Sequence, residues 1–229
     1  MCPSKRFVAA KKMVNENKSY TIDEAVDVLL KMPRPKFDQT VEISTRLNAD
    51  PKQSDQTIRG SVILPHGTGK KVRIIVFCES DKEKDAKDAG ADFAGGQDLA
   101  DKIIQDNWMD FDYCIATPGM MKVVSKLGKV LGPRGLMPSP KTGTVTDNVS
   151  SAIAEAKRGK IDFRMDKFGC LHVGVGKMSF TKEQLSENIR AFVEALVAAK
   201  PTSIKTEFIK SIFVSASMSP SMRLSGIAG

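Results

Sequence analysis

The stretch KKVRIIVFCES, Lys70–Ser80, is where the chain changes character. From Val72 to Cys78 only Arg73 interrupts an apolar run, the pattern of a strand buried on both faces. Downstream the sequence predicts a charged helix over 81–89, a short strand at Phe93 and a helix from Leu99 to Asn107. A strand at Tyr113–Ala116 and helices over Met120–Leu131 and Val149–Arg158 follow. Apolar strands alternating with helices call for a parallel sheet covered on both sides, a small doubly wound α/β unit.

On either side of this unit the pattern is different. Upstream, Thr21 and Glu24 form a capping box, Ala25, Val26, Leu29 and Leu30 give an apolar helix face, and Pro33 ends it. Val41, Ile43, Thr45 and Leu47 then alternate with Glu42, Ser44 and Arg46, as in a strand with one buried face, and Ser61–Leu64 is a second short strand. Downstream, Ile161, Phe163 and Met165, a turn over Asp166–Gly169, and Leu171, Val173 and Val175 suggest a hairpin. Thr181 and Gln184 cap a helix with Leu185, Ile189, Phe192, Val193 and Leu196 on one face, Pro201 follows it, and a strand over Ile209–Ser217 comes last.

Neither flank holds enough strands for a sheet of its own, so the two are expected to fold together with the middle unit inserted. The connections Pro65–Lys70 and Lys157–Lys160 would lie side by side and act as a hinge.

Charge follows the same division. Residues 70–157 hold 13 Lys/Arg and 13 Asp/Glu, whereas the flanks hold 22 against 14, which is the whole net charge of +8. A polyanion is therefore expected on the flanks. No apolar run reaches the 18 residues of a membrane span, and the basic N-terminus lacks a signal-peptide pattern. Cys2, Cys78, Cys114 and Cys170 are far apart without metal-ligand spacing, which suits reduced thiols in the cytosol.

Catalytic equipment is missing from the sequence. Gly67, Thr68, Gly69 and Lys70 resemble part of a phosphate loop, but Leu64 stands where its first Gly belongs, Lys71 replaces the Ser/Thr, and a strand follows where a helix is needed. His66 and His172 are far apart and have no nucleophile or carboxylate pair beside them, so a packed or hydrogen-bonded His172 is expected. No catalytic residue, metal site or cofactor is expected.

Three other features suit nucleic acid. Tyr113–Thr146 has no acidic residue but carries Lys122, Lys126, Lys129, Arg134 and Lys141, and its segment GKVLGPRGLMPSPKTG, Gly128–Gly143, is expected to be a loop with few internal backbone hydrogen bonds. Such a loop either presents amides and cations to phosphates or is simply solvated. Phe37, between Lys36 and Asp38, is either a core residue or a stacking platform beside a phosphate contact. Ser215, Ser217, Ser219 and Ser221 around Met218 and Pro220 suit close approach of an RNA backbone, or else a frayed tail.

Together these segments resemble the L-one family of large-subunit ribosomal proteins, the protein of the mobile lateral stalk, bacterial type. The resemblance covers nearly the whole chain. It is carried by KFDQTVEISTRLNADPKQSDQTIRGSVILPHGTGK from Lys36, WMDFD from Trp108, KLGKVLGPRGLMPSPKTGTVT from Lys126 and SASMSP from Ser215. It implies an α/β fold of two domains, a split α+β RNA-binding domain of residues 1–67 and 159–229 and an inserted Rossmann-like domain of residues 68–158.

The resemblance also implies partners: the stalk region of large-subunit ribosomal RNA near the exit site, the deacylated tRNA released there, and the protein's own messenger RNA, bound as a translational repressor. It places the chain on the ribosome in the cytoplasm, with an organellar ribosome as the alternative. By similarity the ribosomal RNA contacts are Lys36, Phe37, Thr40, Glu42, Asp166, Lys167, Ser211, Ser217 and Met218, with Lys126, Lys129, Arg134 and Lys141 as secondary RNA or tRNA contacts. Lys36 and Lys167 would meet phosphate, Phe37 and Met218 would pack on sugars or bases, and Thr40, Ser211 and Ser217 would bond to 2′-hydroxyls or backbone oxygens. Glu42 and Asp166 would orient neighbours or accept from 2′-hydroxyls.

The chain departs from the family pattern at Ser217 and Ser219, where Thr and Gly are usual, and at Gly119, where an acidic residue is common. If position 219 requires a positive φ, Ser219 carries strain of about 1 kcal/mol. The reading from another class, a nucleotide- or substrate-binding enzyme built on the insert, has only the parallel-sheet pattern behind it. A DNA-binding reading lacks a basic recognition helix and a dimerisation pattern.

Overall fold

The structure is a computed structural model that describes residues 4–15, 18–51, 53–106, 108–202, 204 and 207–225, except for the side chains of Ser54, Ser80 and Lys141. Cys2, and Asn107 at the expected end of a helix, lie outside the described residues. The chain divides into two compact units, Met1–Gly69 with Ile161–Gly229, and Lys70–Lys160. The fold class is α/β. By these bounds the first unit carries 20 Lys/Arg against 14 Asp/Glu and the second 15 against 13, because Arg158 and Lys160 fall in the insert.

In chain order the elements are α1 (Lys5–Lys12), α2 (Ile22–Lys31), β1 (Thr40–Leu47), β2 (Arg59–Ile63), β3 (Ile74–Phe77), α3 (Glu83–Asp88), β4 (Phe93–Gly95), α4 (Gln97–Asp106), β5 (Tyr113–Ala116), α5 (Met121–Lys126), α6 (Gly128–Leu131), α7 (Val149–Lys157), β6 (Lys160–Arg164), β7 (Cys170–Lys177), α8 (Lys182–Ala198), β8 (Ile209–Ala216) and β9 (Met222–Arg223). In the first unit, strands form a sheet in the order β7-β1-β8-β9 and a two-stranded sheet of β2 and β6. β1 is antiparallel to both β7 and β8, so a strand from the first flank is paired on each side by strands from the last.

The alternation in β1 determines what is buried. Val41, Ile43 and Leu47 face a core with Leu171, Val173 and Val175 of β7 and Ile212, Val214 and Ala216 of β8. α2 covers it with Ala25, Val26 and Leu29, and α8 with Leu185, Ile189, Phe192 and Leu196. Both helices start at the capping boxes, Thr21 with Glu24 and Thr181 with Gln184. Partly buried Val193 packs at the margin of this core.

In the insert, β3 is the central strand of a parallel sheet, in the order β4-β3-β5. Its residues divide by parity. Ile75 and Phe77 pack with Ile103 of α4 and Val124 of α5, whereas Ile74 and Val76 pack with Ala86 of α3 and Ile153 of α7. Helices therefore cover both faces, which is why every residue of β3 is buried.

Three expectations are corrected. β6 and β7 are not a hairpin: β6 pairs with β2, and Phe163 turns to Phe192 of α8 at a ring separation of 5.9 Å. Gly60 on β2 leaves room for the Phe163 ring, since a Cβ there would lie 2.6 Å from Cζ. The helix over 120–131 breaks into α5 and α6 at Leu127, just before Gly128, a poor interior helix residue. The 217–223 segment is ordered into a turn and β9, antiparallel to β8. α1 also exists, with the Ser4 hydroxyl accepting from the Phe7 amide at 3.3 Å. Its eight residues, with the apolar ones in a single run Phe7–Ala10, gave no helical periodicity.

Leu29 is fully buried in the shared core. Leu29→Ala should cost about 2–5 kcal/mol in urea unfolding. Amides of β7 and β8 should lose hydrogen-exchange protection together with those of α2, because one core serves both ends.

Candidate nucleic-acid interface

The face of the β7-β1-β8-β9 sheet turned away from α2 and α8 is built from the other parity of each strand. Across it, Thr40 pairs with Lys177, Glu42 with Gly174 and Ser215, Ser44 with His172 and Phe213, and Arg46 with Cys170 and Ser211. None of these side chains is buried. At about 3.3 Å per residue, the row from Thr40 to Arg46 is roughly 20 Å long. Near β9 a cleft of about 570 Å³ opens between this face and α1, with Phe7, Lys11, Phe213, Ser215 and Arg223 in its wall.

One end of the row joins the entry of β1 to the exit of β8. The Ser217 amide donates to the Thr40 carbonyl at 3.1 Å, and the Thr40 amide donates to Ser217 Oγ at 3.3 Å. Gln39 is the buried fastener: its Oε1 accepts from the Met218 amide at 2.9 Å and its carbonyl from the Met178 amide at 2.9 Å. Lys177 Nζ donates to Thr40 Oγ1 at 3.0 Å. This bracing leaves Phe37 and Met218 each 52% exposed, and neither is a core residue. Lys36 beside Phe37 is also exposed. Ser219 Oγ accepts from the Ala216 amide at 2.8 Å and lies 3.3 Å from the Ala216 carbonyl, so the hydroxyl closes the turn after β8.

The other end carries the turn between β6 and β7. Asp166 Oδ1 accepts from the amides of Phe168 at 2.8 Å and Cys170 at 2.7 Å, which makes Asp166 the clasp of the turn. Lys167 is exposed at its tip. Of the nine main candidates, Thr40, Glu42 and Ser211 are therefore on the sheet face. Lys36, Phe37, Ser217 and Met218 sit at one end of it, and Asp166 and Lys167 at the other.

Charge is sorted between the two layers. Asp23 and Asp27 of α2 pair with Arg190 at 2.9 Å and Lys182 at 2.5 Å of α8, and Glu187 of α8 meets His66 Nε2 at 2.6 Å. Lys36, Arg46, Lys167 and Arg223 enter no ion pair among the described residues. The pairs between α2 and α8 contribute little field, whereas these four cations carry charge that no ion pair offsets.

Sequence reasoning missed Ser44, Arg46 and Lys177, although Ser44 and Arg46 share the outward parity of Thr40 and Glu42. His172 is hydrogen-bonded as expected, Nδ1 lying 3.1 Å from Ser44 Oγ, but it is exposed on this same face. Phe168 was missed without any signal in the pattern.

The second candidate group belongs to the insert. Lys126, Lys129 and Arg134 are exposed there, and the Lys141 side chain lies outside the described residues. The loop expected to be poor in hydrogen bonds is compact: the Leu136 amide donates to the Leu131 carbonyl at 3.1 Å, and the Ser139 amide to Thr144 Oγ1 at 2.7 Å. Leu131, Leu136 and the buried Thr144 anchor it, which a count of Gly and Pro does not show. The glycines at 67 and 69 form no phosphate loop. Asn188 holds that segment to α8, accepting from the His66 amide at 3.1 Å and donating to the Gly67 carbonyl at 3.0 Å. The described residues contain no His/Cys/Asp/Glu cluster able to hold a metal and no helix long and apolar enough to cross a membrane.

Compared with known proteins, the chain matches the ribosomal protein L1p/L10e family over residues 29–220. It is 50% identical over 221 residues to a protein of Fervidobacterium nodosum named large ribosomal subunit protein uL1, with 96% of this chain and 94% of that protein covered.

Burial pushes the thiols of Cys78 and Cys114 up, so both carry little thiolate at neutral pH. Iodoacetamide at pH 7.5 should alkylate Cys170 ahead of Cys78 and Cys114 and leave those two unmodified until the protein unfolds, as read by peptide mass spectrometry.

Proposed function

We propose, from the fact that this chain belongs to the ribosomal protein L1p/L10e family, that its open sheet face binds the stalk region of large-subunit ribosomal RNA near the exit site. The observation that carries this reading is a row of polar, unburied side chains roughly 20 Å long, with exposed apolar side chains and unpaired cations at its ends. Folded RNA offers phosphates, 2′-hydroxyls and exposed base faces, and such a row has a counterpart for each.

In this reading Lys36 and Lys167 contact phosphate, and Phe37 and Met218 lie against sugars or bases. Thr40 Oγ1 already accepts from Lys177, which leaves its O–H free to donate to an RNA oxygen. Ser211 and Ser217 bond to backbone oxygens or 2′-hydroxyls, and Glu42, with no cation directly opposite, accepts from a 2′-hydroxyl. Asp166 acts by shaping its turn. Residues 1–67 and 159–229 form the RNA-binding module, and 68–158 the inserted body. Lys126, Lys129, Arg134 and Lys141 of the insert face exit-site tRNA or secondary RNA contacts, and the protein assists release of deacylated tRNA. A similar fold in its own messenger RNA, bound by the same face, represses translation.

Affinity for a stalk RNA transcript should fall steeply with salt, by about 0.7–0.9 log units per log unit of salt for each phosphate neutralised. A flat titration would remove the reading. Phe37→Ala and Met218→Ala should each weaken binding about fivefold or more while leaving the melting temperature within a degree or two of wild type. Equal losses of stability and binding would return both residues to a structural role.

A further inference from the structure

Phe168 is 84% exposed, the most exposed large apolar side chain among the described residues. Single exposed apolar side chains are common on protein surfaces. What distinguishes Phe168 is the rigidity of its support. Its own amide and that of Cys170 donate to Asp166 Oδ1, and the Asp166 amide donates to the Cys170 carbonyl at 2.8 Å. Gly169, at φ +75°, places its carbonyl to accept from the Leu47 amide at 2.9 Å, and a Cβ there would lie 3.2 Å from the Ala49 carbonyl oxygen. The turn is thus fastened to the end of β1.

A side chain on a backbone held this way loses little backbone entropy on binding, and at 84% exposure it is open to a partner. Its neighbour Lys167 is an exposed cation without an ion pair, and the outward row ends beside the turn at Arg46 and Ser211. An aromatic face flanked by a cation fits a nucleotide, the ring against the base and the ammonium near its phosphate. Phe37 marks the opposite end of β1, so the two rings must meet different nucleotides, since β1 from Thr40 to Leu47 measures roughly 23 Å.

We propose that Phe168 stacks on an unpaired base of the bound RNA and forms a second aromatic anchor at the far end of the interface. The proposal rests on the sheet-face reading above and assigns a residue that reading does not use. Stacking has a signature separate from phosphate contact: its loss lowers affinity at every salt concentration and leaves the salt slope unchanged.

The test is filter binding of the full-length chain to a stalk RNA transcript across a salt series, with melting temperatures measured in parallel. Phe168→Ala should weaken binding about tenfold with an unchanged salt slope and melting temperature, Phe168→Trp should restore affinity, and Phe168→Leu should not. Lys167→Met should instead lower the slope by about one phosphate contact, 0.7–0.9. If Phe168→Ala binds within twofold of wild type while Phe37→Ala is weakened, the proposal fails and the sheet-face reading stands. If wild type does not bind, that reading fails first. A Leu variant equal to wild type overturns stacking in favour of plain apolar contact. A variant normal on naked RNA but poorly retained on large subunits overturns it in favour of a protein neighbour.

Discussion

The structure depends on the hydrogen bonding of β1 along both edges to strands from the opposite end of the chain. Without β7 and β8, β1 is one amphipathic strand with no sheet, and without β1 the later strands lose their central member. Closing the interval between β1 and β7 costs chain entropy, but that cost grows only logarithmically with the length enclosed. A self-sufficient insert with its own two-sided core can therefore occupy the interval at little further cost. The core of the two-ended unit recovers the closure entropy, since α2 from one flank and α8 from the other bury their apolar stripes on the same sheet face.

The same arrangement produces the candidate interface. Two helices satisfy the inner face, and the ion pairs between them, Asp27 with Lys182 and Asp23 with Arg190, leave that layer locally neutral. The outer face is left with hydroxyls, Glu42, His172, Phe213 and the unpaired Arg46 on a backbone fixed by hydrogen bonds from both sides. Such a surface pays little ordering cost on binding. Its two ends are braced by different devices, Gln39 joining the start of β1 to the exit of β8, and Asp166 with Gly169 fixing the turn to the end of β1.

Much of this was legible in the sequence because the signals are local. Alternation along 41–47 gave the strand and its buried parity, Thr21 and Thr181 with their partners three residues on gave the helix starts, and the apolar run at 72–78 marked the insert. The failures were non-local or short. Periodicity shows that 161–165 is a strand but not that Gly60 on β2, and not β7, makes room for Phe163. β9 has two residues and α1 eight with only Ala10 buried, too little for either pattern to register. In the candidate site, the outward parity already implied Ser44 and Arg46, whereas Phe168 lies in a turn, where no periodicity distinguishes an exposed ring from a buried one. The compactness of 128–144 was hidden because Leu131, Leu136 and Thr144 act through contacts that composition does not encode.

Backbone amide chemical shifts, followed while a stalk RNA transcript is titrated into the isotopically labelled full-length chain, test the account most directly. The account predicts perturbations concentrated at the outward positions of β1, in the 36–40 segment, in the 166–170 turn and along 211–218, with α2 and α8 little affected. Perturbations confined to residues 70–160, or centred on the helix layer of the two-ended unit, would contradict it.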